Sequence, residues 1–543
     1  MCPYRLSKQQ SSRENGDDNI VQAGKVADHE LVNGSAKCVR RKKNKSNNVN
    51  AKTIEIVSNE DEVEKAVREV NKLLGENNVP KPSHSAYIRH DTSGIWKNIL
   101  VVQYKHLNVN NEVHRLFGSD ALQKCNDPNR KRVSHTSSRS HKNIFNFQER
   151  WGKIETPGIS MVLLENVNGL KYFTFEHDRD YKKVQNEFLA AVESFSPSMI
   201  QNIIYRHPYH IDCLLQLSDA YKQQDNFIVA AELVEKALYC LENAFHPGFT
   251  IDRGNCRLDY RRQVNRAFYV ASFKHVIFIG NKACYRTSLE LSKFLLSLDP
   301  DDDPLAIILM IDYYALCAGE YKWLIEFLDK WKFKNELELP NMLYSLALAH
   351  FLNGDKTKAD QLLQKAIITF PGVLVLLLEF SYAKIDMVSK HPFFVDRRNW
   401  QPDSLNTIIN LFARRNYHIW KNRTVLNWME SNVVVILPLT EKLSFKMLME
   451  ENSLLASYRI PLPRNILRHI YLSEIEEVTV AIDTTTSFMS FDPLPPDDSI
   501  NLYNGPRRPN LYETLSNLEL GNNQMMFEPG PDDRTYYLVI NYN

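Results

Sequence analysis

The chain has 543 residues, 43% of them hydrophobic and 24% charged, the composition of a globular protein able to bury a sizeable core. That length has room for about three or four domains, or for one long solenoid with flanking segments. Lysine and arginine total 66 against 65 for aspartate and glutamate, so overall charge excludes bulk attraction to nucleic acid and leaves that role to local patches.

Only 18 glycines are present, which argues against a propeller, a collagen-like design or Gly-rich phosphate loops. The cysteines, at 2, 38, 125, 213, 240, 256, 284 and 317, form no close pairs. That spacing points away from a disulfide framework or a zinc site and toward a reducing compartment. Near the amino terminus Arg5, Lys8, Arg13, Glu14, Asp17 and Asp18 leave no apolar core for a signal peptide. The greasiest run, Val373 to Leu378, is far shorter than the roughly 20 residues of a membrane helix. The expectation is a cytosolic or nuclear protein with no membrane span.

Residues 1–58 are polar and without hydrophobic period, and read as a disordered tail. Within it Lys37, Arg40, Arg41, Lys42, Lys43 and Lys45 form a basic run. Such a run serves as a nuclear import signal or a phosphate-backbone contact, or is simply a solvated stretch of a flexible tail. Val63, Val67, Val70 and Leu74 recur at helical spacing. The β-branched and aromatic run from Ile99 to Tyr104 predicts a strand. A second basic stretch begins at Arg130, Lys131 and Arg132 and continues through Arg139 and Lys142 to Arg150. It reads either as a linker that touches RNA or as a loop kept in water by its charge. Met161–Leu164 and Tyr172–Phe175 then flank the turn at Asn168-Gly169, a hairpin signal.

From about Tyr181 to Lys390 the period is helical, and two windows fit the tetratricopeptide pattern. In the first, Leu214, Leu217, Ser218 and Tyr221 make one helix and Ala230, Val234 and Ala237 the next. In the second, Leu343, Leu346, Ala347 and His350 are followed by Ala359, Leu363, Ala366 and a closing Pro371. Ser288, Ser292 and Leu295 with Pro300 look like a degenerate second helix, and Pro304 to Ala318 like the first helix of another pair. Each pair leaves an apolar face for its neighbour to cover, which is the logic of a solenoid with a concave partner surface; a compact helical domain without true repeats is the alternative. Leu405–Trp420 and Arg464–Ile482 read as further helices. Phe491-Asp492-Pro493-Leu494-Pro495-Pro496 cannot continue a helix and suits an extended strap, packed on its own domain or offered to a partner.

The fold class expected is therefore mainly α: a tetratricopeptide-like helical-hairpin solenoid with a small α+β N-terminal element and disordered tails. By residue number it divides into a basic tail over 1–58, a short helix and strand-containing region with a basic linker over 59–180, and the solenoid over 181–390. A helical extension over 391–487 and the strap with a flexible tail over 488–543 complete it.

Chemistry is harder to find. No P-loop, nucleophile elbow, His-Glu-x-x-His or dinucleotide fingerprint occurs, so no catalytic residue and no cofactor are expected. His207, His210 and Cys213 lie close together but match no familiar zinc spacing, so packing and capping are the expected roles. Asp299, Asp301, Asp302 and Asp303 lack the Gly and closing Glu of a calcium loop and read as a solvated, helix-capping turn. The most unusual polar block is Arg257, Asp259, Tyr260, Arg261 and Arg262, followed by Asn265 and Arg266. Its arginines are suited to gripping a carboxylate, a phosphate or an RNA base, or to an internal Arg–Asp–Tyr network that locks a loop.

These blocks carry a resemblance. Tyr104-Lys105-His106-Leu107-Asn108, Arg115-Leu116-Phe117-Gly118, Pro157-Gly158-Ile159-Ser160-Met161, Phe175-Glu176-His177 and Ala191-Val192-Glu193-Ser194 occur in order. After them come Pro208-Tyr209-His210-Ile211-Asp212, Leu214 to Asp219, Ala244-Phe245-His246-Pro247, Cys256 to Arg262, Phe370 to Leu374, Pro463-Arg464-Asn465-Ile466 and Phe491 to Pro496. Together they resemble the transcription factor 25 (nuclear localized protein one) family, related to yeast ribosome quality control complex subunit 1, over roughly residues 100–503.

The resemblance implies a non-catalytic role on the large ribosomal subunit bearing a stalled nascent chain. The implied partners are a listerin-type ubiquitin ligase, ubiquitin, a nascent-chain-binding subunit and a segregase, and the implied outcome is degradation-type ubiquitination. An older reading of the family is nuclear, as a transcriptional repressor, so the resemblance implies cytosol and nucleus alike. Against the family pattern, the amino-terminal basic run is modest and the acidic carboxy-terminal tail is absent, so contacts made through those tails are not carried over.

Overall fold

The computed structural model describes residues 98–118, 145, 151, 158–194, 196–334, 339–382, 386–395, 401–440, 457–475, 478, 489–503, 525–529 and 536–540. The chain divides into two units, 1–87 and 88–543, and all described residues belong to the second. The basic runs Lys37–Lys45 and Arg130–Arg132 and the helix expected at Val63–Leu74 lie outside the described residues.

The first described stretch corrects an expectation. Ile99–Tyr104 is not a strand but an irregular segment leading into a 3₁₀ turn, Tyr104–His106, and then α1 (Val109–Phe117). Its backbone groups are met by side chains and by the Asp252 carbonyl, which accepts Val102 N (3.3 Å), rather than by a neighbouring strand. Trp323 Nε1 donates to Ile99 O (2.9 Å), Lys293 Nζ to Val101 O (3.0 Å), and Gln103 N to a Glu290 carboxylate (2.8 Å). Apolar side chains here serve burial, with Ile99, Leu100 and Val102 in the core, and a backbone already satisfied has no need of a sheet.

The hairpin forms as its turn chemistry dictates. β1 (Ile159–Val167) pairs antiparallel with β2 (Leu170–His177). Asn168 and Gly169 between them have φ of 53° and 82°, the positive values a type I′ turn requires and Asn-Gly supplies at least cost. Met161, Phe173 and Phe175 point into the core, where Phe173 meets Phe249 edge-on with ring centroids 5.1 Å apart.

Helices follow: α2 (Arg179–Glu193), α3 (Pro197–Arg206), α4 (Ile211–Gln223) and α5 (Phe227–Asn243). Asp178, His210 and Asn226 cap α2, α4 and α5 by accepting a backbone N–H from their first turns. The α4–α5 hairpin buries Leu214, Ser218, Ala230, Val234 and Ala237, and the Ser218 hydroxyl donates to Ala230 O at the crossing (2.8 Å). A third strand, β3 (Cys256–Leu258), unanticipated from the sequence, then pairs parallel to β2.

The centre of the molecule is α6 (Gln263–Asn281), whose residues from Phe268 to Val276 are buried on every side. A helix so enclosed carries no polar stripe. Beside it lies α7 (Tyr285–Leu298), also enclosed, with its buried Glu290 bridged by Arg286 (2.9 Å) and Lys293 (2.8 Å). The helix expected from Pro304 starts late. Ala306 is left-handed, a 3₁₀ turn covers Ile307–Leu309, and α8 runs only over Ile311–Cys317. Asp303 causes the delay by accepting the Ile307 and Ile308 N–H groups (2.8 and 3.0 Å).

Next come α9 (Tyr321–Lys334), α10 (Pro340–Leu352), α11 (Lys356–Thr369), α12 (Pro371–Phe380) and a short α13 (Asp386–Lys390). The α10–α11 hairpin buries Leu343, Leu346, Ala347, Ala359, Leu363 and Ala366; Pro371 opens α12 rather than only closing α11. No single described helix is long and apolar enough to cross a membrane; α11 and α12 qualify only as a pair bent by 98°. α14 (Asp403–Trp420) packs on α12, and α15 (Arg423–Thr440) on α11, where Trp428 and Asn432 both donate to Asp360.

α16 (Arg464–Ser473) ends sooner than expected, at a left-handed Glu474. In the carboxy-terminal segment, expected to be a flexible tail, β4 (Met525–Pro529) and β5 (Tyr536–Ile540) pair as an antiparallel hairpin. The described chain is mainly helical, with one small three-stranded sheet and the two-stranded β4–β5 pair.

Candidate functional site

The arginine block begins on β3, and pairing with β2 turns its side chains inward. Arg257 is 8% exposed and donates to the carbonyls of Gly254 (3.0 Å), Cys256 (3.0 Å) and Ser297 (2.7 Å), tying the strand to the end of α7. Asp259 receives Arg261 in a fork, Nε at 2.9 Å and a terminal nitrogen at 2.7 Å. Burial raises the Asp259 carboxyl, while the Arg261 backbone N–H works against that rise. Asn265, fully buried, accepts Phe175 N (2.9 Å) and donates to Asp259 O (2.8 Å), so it stitches β2 to the turn before α6.

Arg266 is 2% exposed and grips Asp492 bidentately, both bonds 2.7 Å. Asp492 belongs to the Pro-rich strap 226 residues away, which answers whether that segment is docked. Tyr260 is buried, and its ring lies 4.5 Å from the guanidinium of Arg468 on α16. Arg468 donates in turn to Pro493 O (3.0 Å), Leu494 O and Pro304 O. Arg464 reaches Pro495 O (2.8 Å) and Asp497 (2.5 Å). Gln263 at the start of α6 accepts the Leu502 and Tyr503 N–H groups (3.1 and 2.9 Å), and Arg262 forms a parallel bridge with Ile500.

Of the residues singled out in the block, Arg257, Asp259, Tyr260, Arg261 and Arg266 thus converge on internal partners, and Arg262 takes part through its backbone. The partners that complete the arrangement were hidden in two other blocks. Arg464 lies in Pro463–Ile466 and Asp492 in Phe491–Pro496; Arg468 and Gln263 stood outside any motif. Both blocks were legible as unusual, but nothing in a linear sequence pairs them.

The other clusters are structural in geometry. His210 caps α4 through Nδ1 (3.3 Å from Cys213 N) and stacks on Tyr181, and burial lowers its pKa to about 3. Asp299 accepts Asp302 N at 3.3 Å within the interhelix turn. Among the described residues no three His, Cys, Asp or Glu side chains are placed to hold a metal ion.

Comparison with known proteins gives the context. A human protein named "Ribosome quality control complex subunit TCF25" is 39% identical over 449 residues, covering 79% of this chain and 65% of that protein. A fission-yeast protein (Schizosaccharomyces pombe) named "Ribosome quality control complex subunit 1" is 28% identical over 461 residues, 80% of this chain and 65% of its own. "Probable transcription factor claV" of Ampulloclitocybe clavipes is 28% identical over 375 residues, 62% of this chain and 46% of its own. The chain therefore spans about two thirds of the length of the human and fission-yeast relatives. No solved structure matches it. The family model described as "Transcriptional repressor TCF25" matches residues 173–496, from β2 through the Arg266-bound strap, and the chain belongs to that family.

Proposed function

We propose that this chain is a non-catalytic adaptor of ribosome-associated quality control. In this reading it acts with a listerin-type ubiquitin ligase on large ribosomal subunits that carry a stalled nascent chain, and promotes degradation-type ubiquitination. The observation that carries it is the identity of 39% over 79% of the chain to a relative named as a ribosome quality control complex subunit.

The helical hairpins α4–α5 and α10–α11 support a tetratricopeptide-like solenoid as the scaffold. The adaptor works by proximity: ligase and ubiquitin held on one rigid body meet at a raised effective concentration and in a fixed orientation. The nascent-chain-binding subunit and the segregase complete the assembly. Lys37, Arg40, Arg41, Lys42, Lys43 and Lys45, with Arg130, Lys131 and Arg132, add salt-sensitive affinity for ribosomal RNA. The protein works in the cytosol on ribosomes, with a nuclear pool directed by the first basic run.

A second reading, a nuclear transcriptional regulator acting through protein–protein contacts, draws on the family description and on the relative named as a probable transcription factor. Sucrose-gradient cosedimentation with large subunits bearing a stalled, tRNA-linked chain, with and without listerin, separates the two. Comigration that depends on the stalled complex, weakened when Arg40, Arg41, Lys42 and Lys43 are neutralised, is the expected result. Failure to comigrate at low salt with listerin present sinks the ribosomal reading, and retention in chromatin would then favour the nuclear one.

A further inference from the structure

Residues 489–503 are held as a peptide is held in a groove. They form no helix, and one parallel bridge to Arg262 is their only sheet-like pairing among the described residues. Three side chains anchor them: Phe491, Leu494 and Tyr503 are buried. The Phe491 ring stands edge-on to Phe188 of α2 (4.9 Å), and the Tyr503 hydroxyl meets His177 Nδ1 (2.6 Å). Between the anchors Pro495, Asp497 and Asp498 are exposed, and Ile500 and Leu502 are 47% and 50% exposed.

The remaining contacts read peptide features. Arg266 takes the Asp492 carboxylate in a fork, Arg468 takes the carbonyls that follow it, and Arg464 and Arg261 meet Asp497 and Asp498 (2.5 and 3.5 Å). Leu494 sits at φ 46°, a conformation that a non-glycine residue keeps only where its surroundings impose it.

We propose that the cleft between α2, α6 and α16 is a peptide-binding groove for irregular, turn-containing segments of the pattern aromatic–Asp–Pro followed by prolines and acidic residues. Residues 491–498 are its resident ligand in cis, and an acidic, proline-rich segment of a partner protein is its ligand in trans. The charge fits: four arginines face a segment whose acidic side chains are Asp492, Asp497 and Asp498. The bidentate Arg266–Asp492 pair gives register as well as affinity. Prolines at 493, 495 and 496 fix φ at three positions, so less ordering entropy is lost on docking. The cis segment is present at an effective concentration of about millimolar, so a trans segment enters where the clasp is weakened or where a second contact adds avidity.

The test uses the full chain and a fluorescein-labelled peptide spanning residues 489–503, read by anisotropy. Asp492→Ala in the chain loosens the resident segment, and this variant is expected to bind the peptide saturably. The parent chain, its groove filled, binds at least about ten-fold more weakly, and a peptide carrying Asp492→Asn loses about ten-fold on the variant. Phe491→Ala in the chain is a second, independent way to empty the groove. Absence of binding to both folded variants overturns the proposal, as does equal binding of a scrambled peptide of the same composition. Loss of the cooperative melt in both variants overturns it too, because the segment is then an inseparable part of the core.

Discussion

A guanidinium with 2% of its surface exposed has to meet its charge inside the fold, and Arg266 does so on Asp492. Removing one partner of such a pair strands the other, which typically costs about 3–5 kcal/mol. Arg266→Ala is expected to lower the urea-unfolding free energy by that order, while Arg266→Met with Asp492→Leu loses much less. Asp212 makes a second residue-scale prediction. Burial raises its carboxyl to about 7, Gln185 donates to it (2.5 Å), and Asp492 and Arg266 act on it in opposite directions. The folded state keeps this proton to about pH 7, and an unfolded aspartate releases it near 4. Its stabilising contribution is therefore full below about pH 4 and lost as pH rises toward 7, at up to about 1.4 kcal/mol per unit. His210 and His275, both lowered to about 3 by burial, act in the opposite sense, because the unfolded state takes up their protons below about 6.5. The expected outcome is read by difference. Asp212→Asn gains stability relative to the parent as pH rises from about 4 to 7, measured by denaturant titration; a constant difference would contradict it.

At the scale of elements, close approach is as informative as hydrogen bonding. A Cβ on Gly280 would stand 2.8 Å from the Tyr314 ring, so α6 and α8 meet at a distance only glycine permits. Gly280→Ala is expected to lower stability by about 1–3 kcal/mol through overpacking, with part of the loss recovered when Tyr314→Leu is added; thermal melts decide it. Elements set by local rules were legible in the sequence. Asn168-Gly169 defined its hairpin, and small residues at helix-crossing spacing marked α4–α5 and α10–α11. Elements set by distant partners were not. Ile99–Tyr104 has strand composition, but Trp323, Lys293 and Glu290 already satisfy its backbone. β3 is too short to show a period and exists because β2 lies beside it.

At the scale of the whole molecule, two described segments join distant elements. Residues 98–117, with α1 at their end, lie along α7, where Glu112 caps the helix from outside by accepting Arg286 N and Thr287 N (2.9 and 2.8 Å). Residues 489–503 span α2, α4, α6 and α16. Hydrogen exchange read by mass spectrometry tests this division of labour. Asp492→Ala is expected to speed exchange in residues 489–503 and in α16 by about ten-fold or more, leaving the enclosed α6 and α7 protected. Uniform loss of protection would instead make the strap inseparable from the central helices.

The candidate site was legible only in part. Arg257 to Arg266 stood out by composition, and the Phe491–Pro496 strap by its prolines, but nothing joined them, since Arg266 and Asp492 lie 226 residues apart. The sequence by itself determined the helical class, the hairpin turn, the capping role of His210 and the family resemblance, because these depend on spacing within a few residues or on ordered blocks. Only the tertiary structure decided that the arginines turn inward, that the strap is docked, and that Arg468 completes the grip. Pairing between distant charges is chosen by which elements the core brings together, and no local rule carries that information.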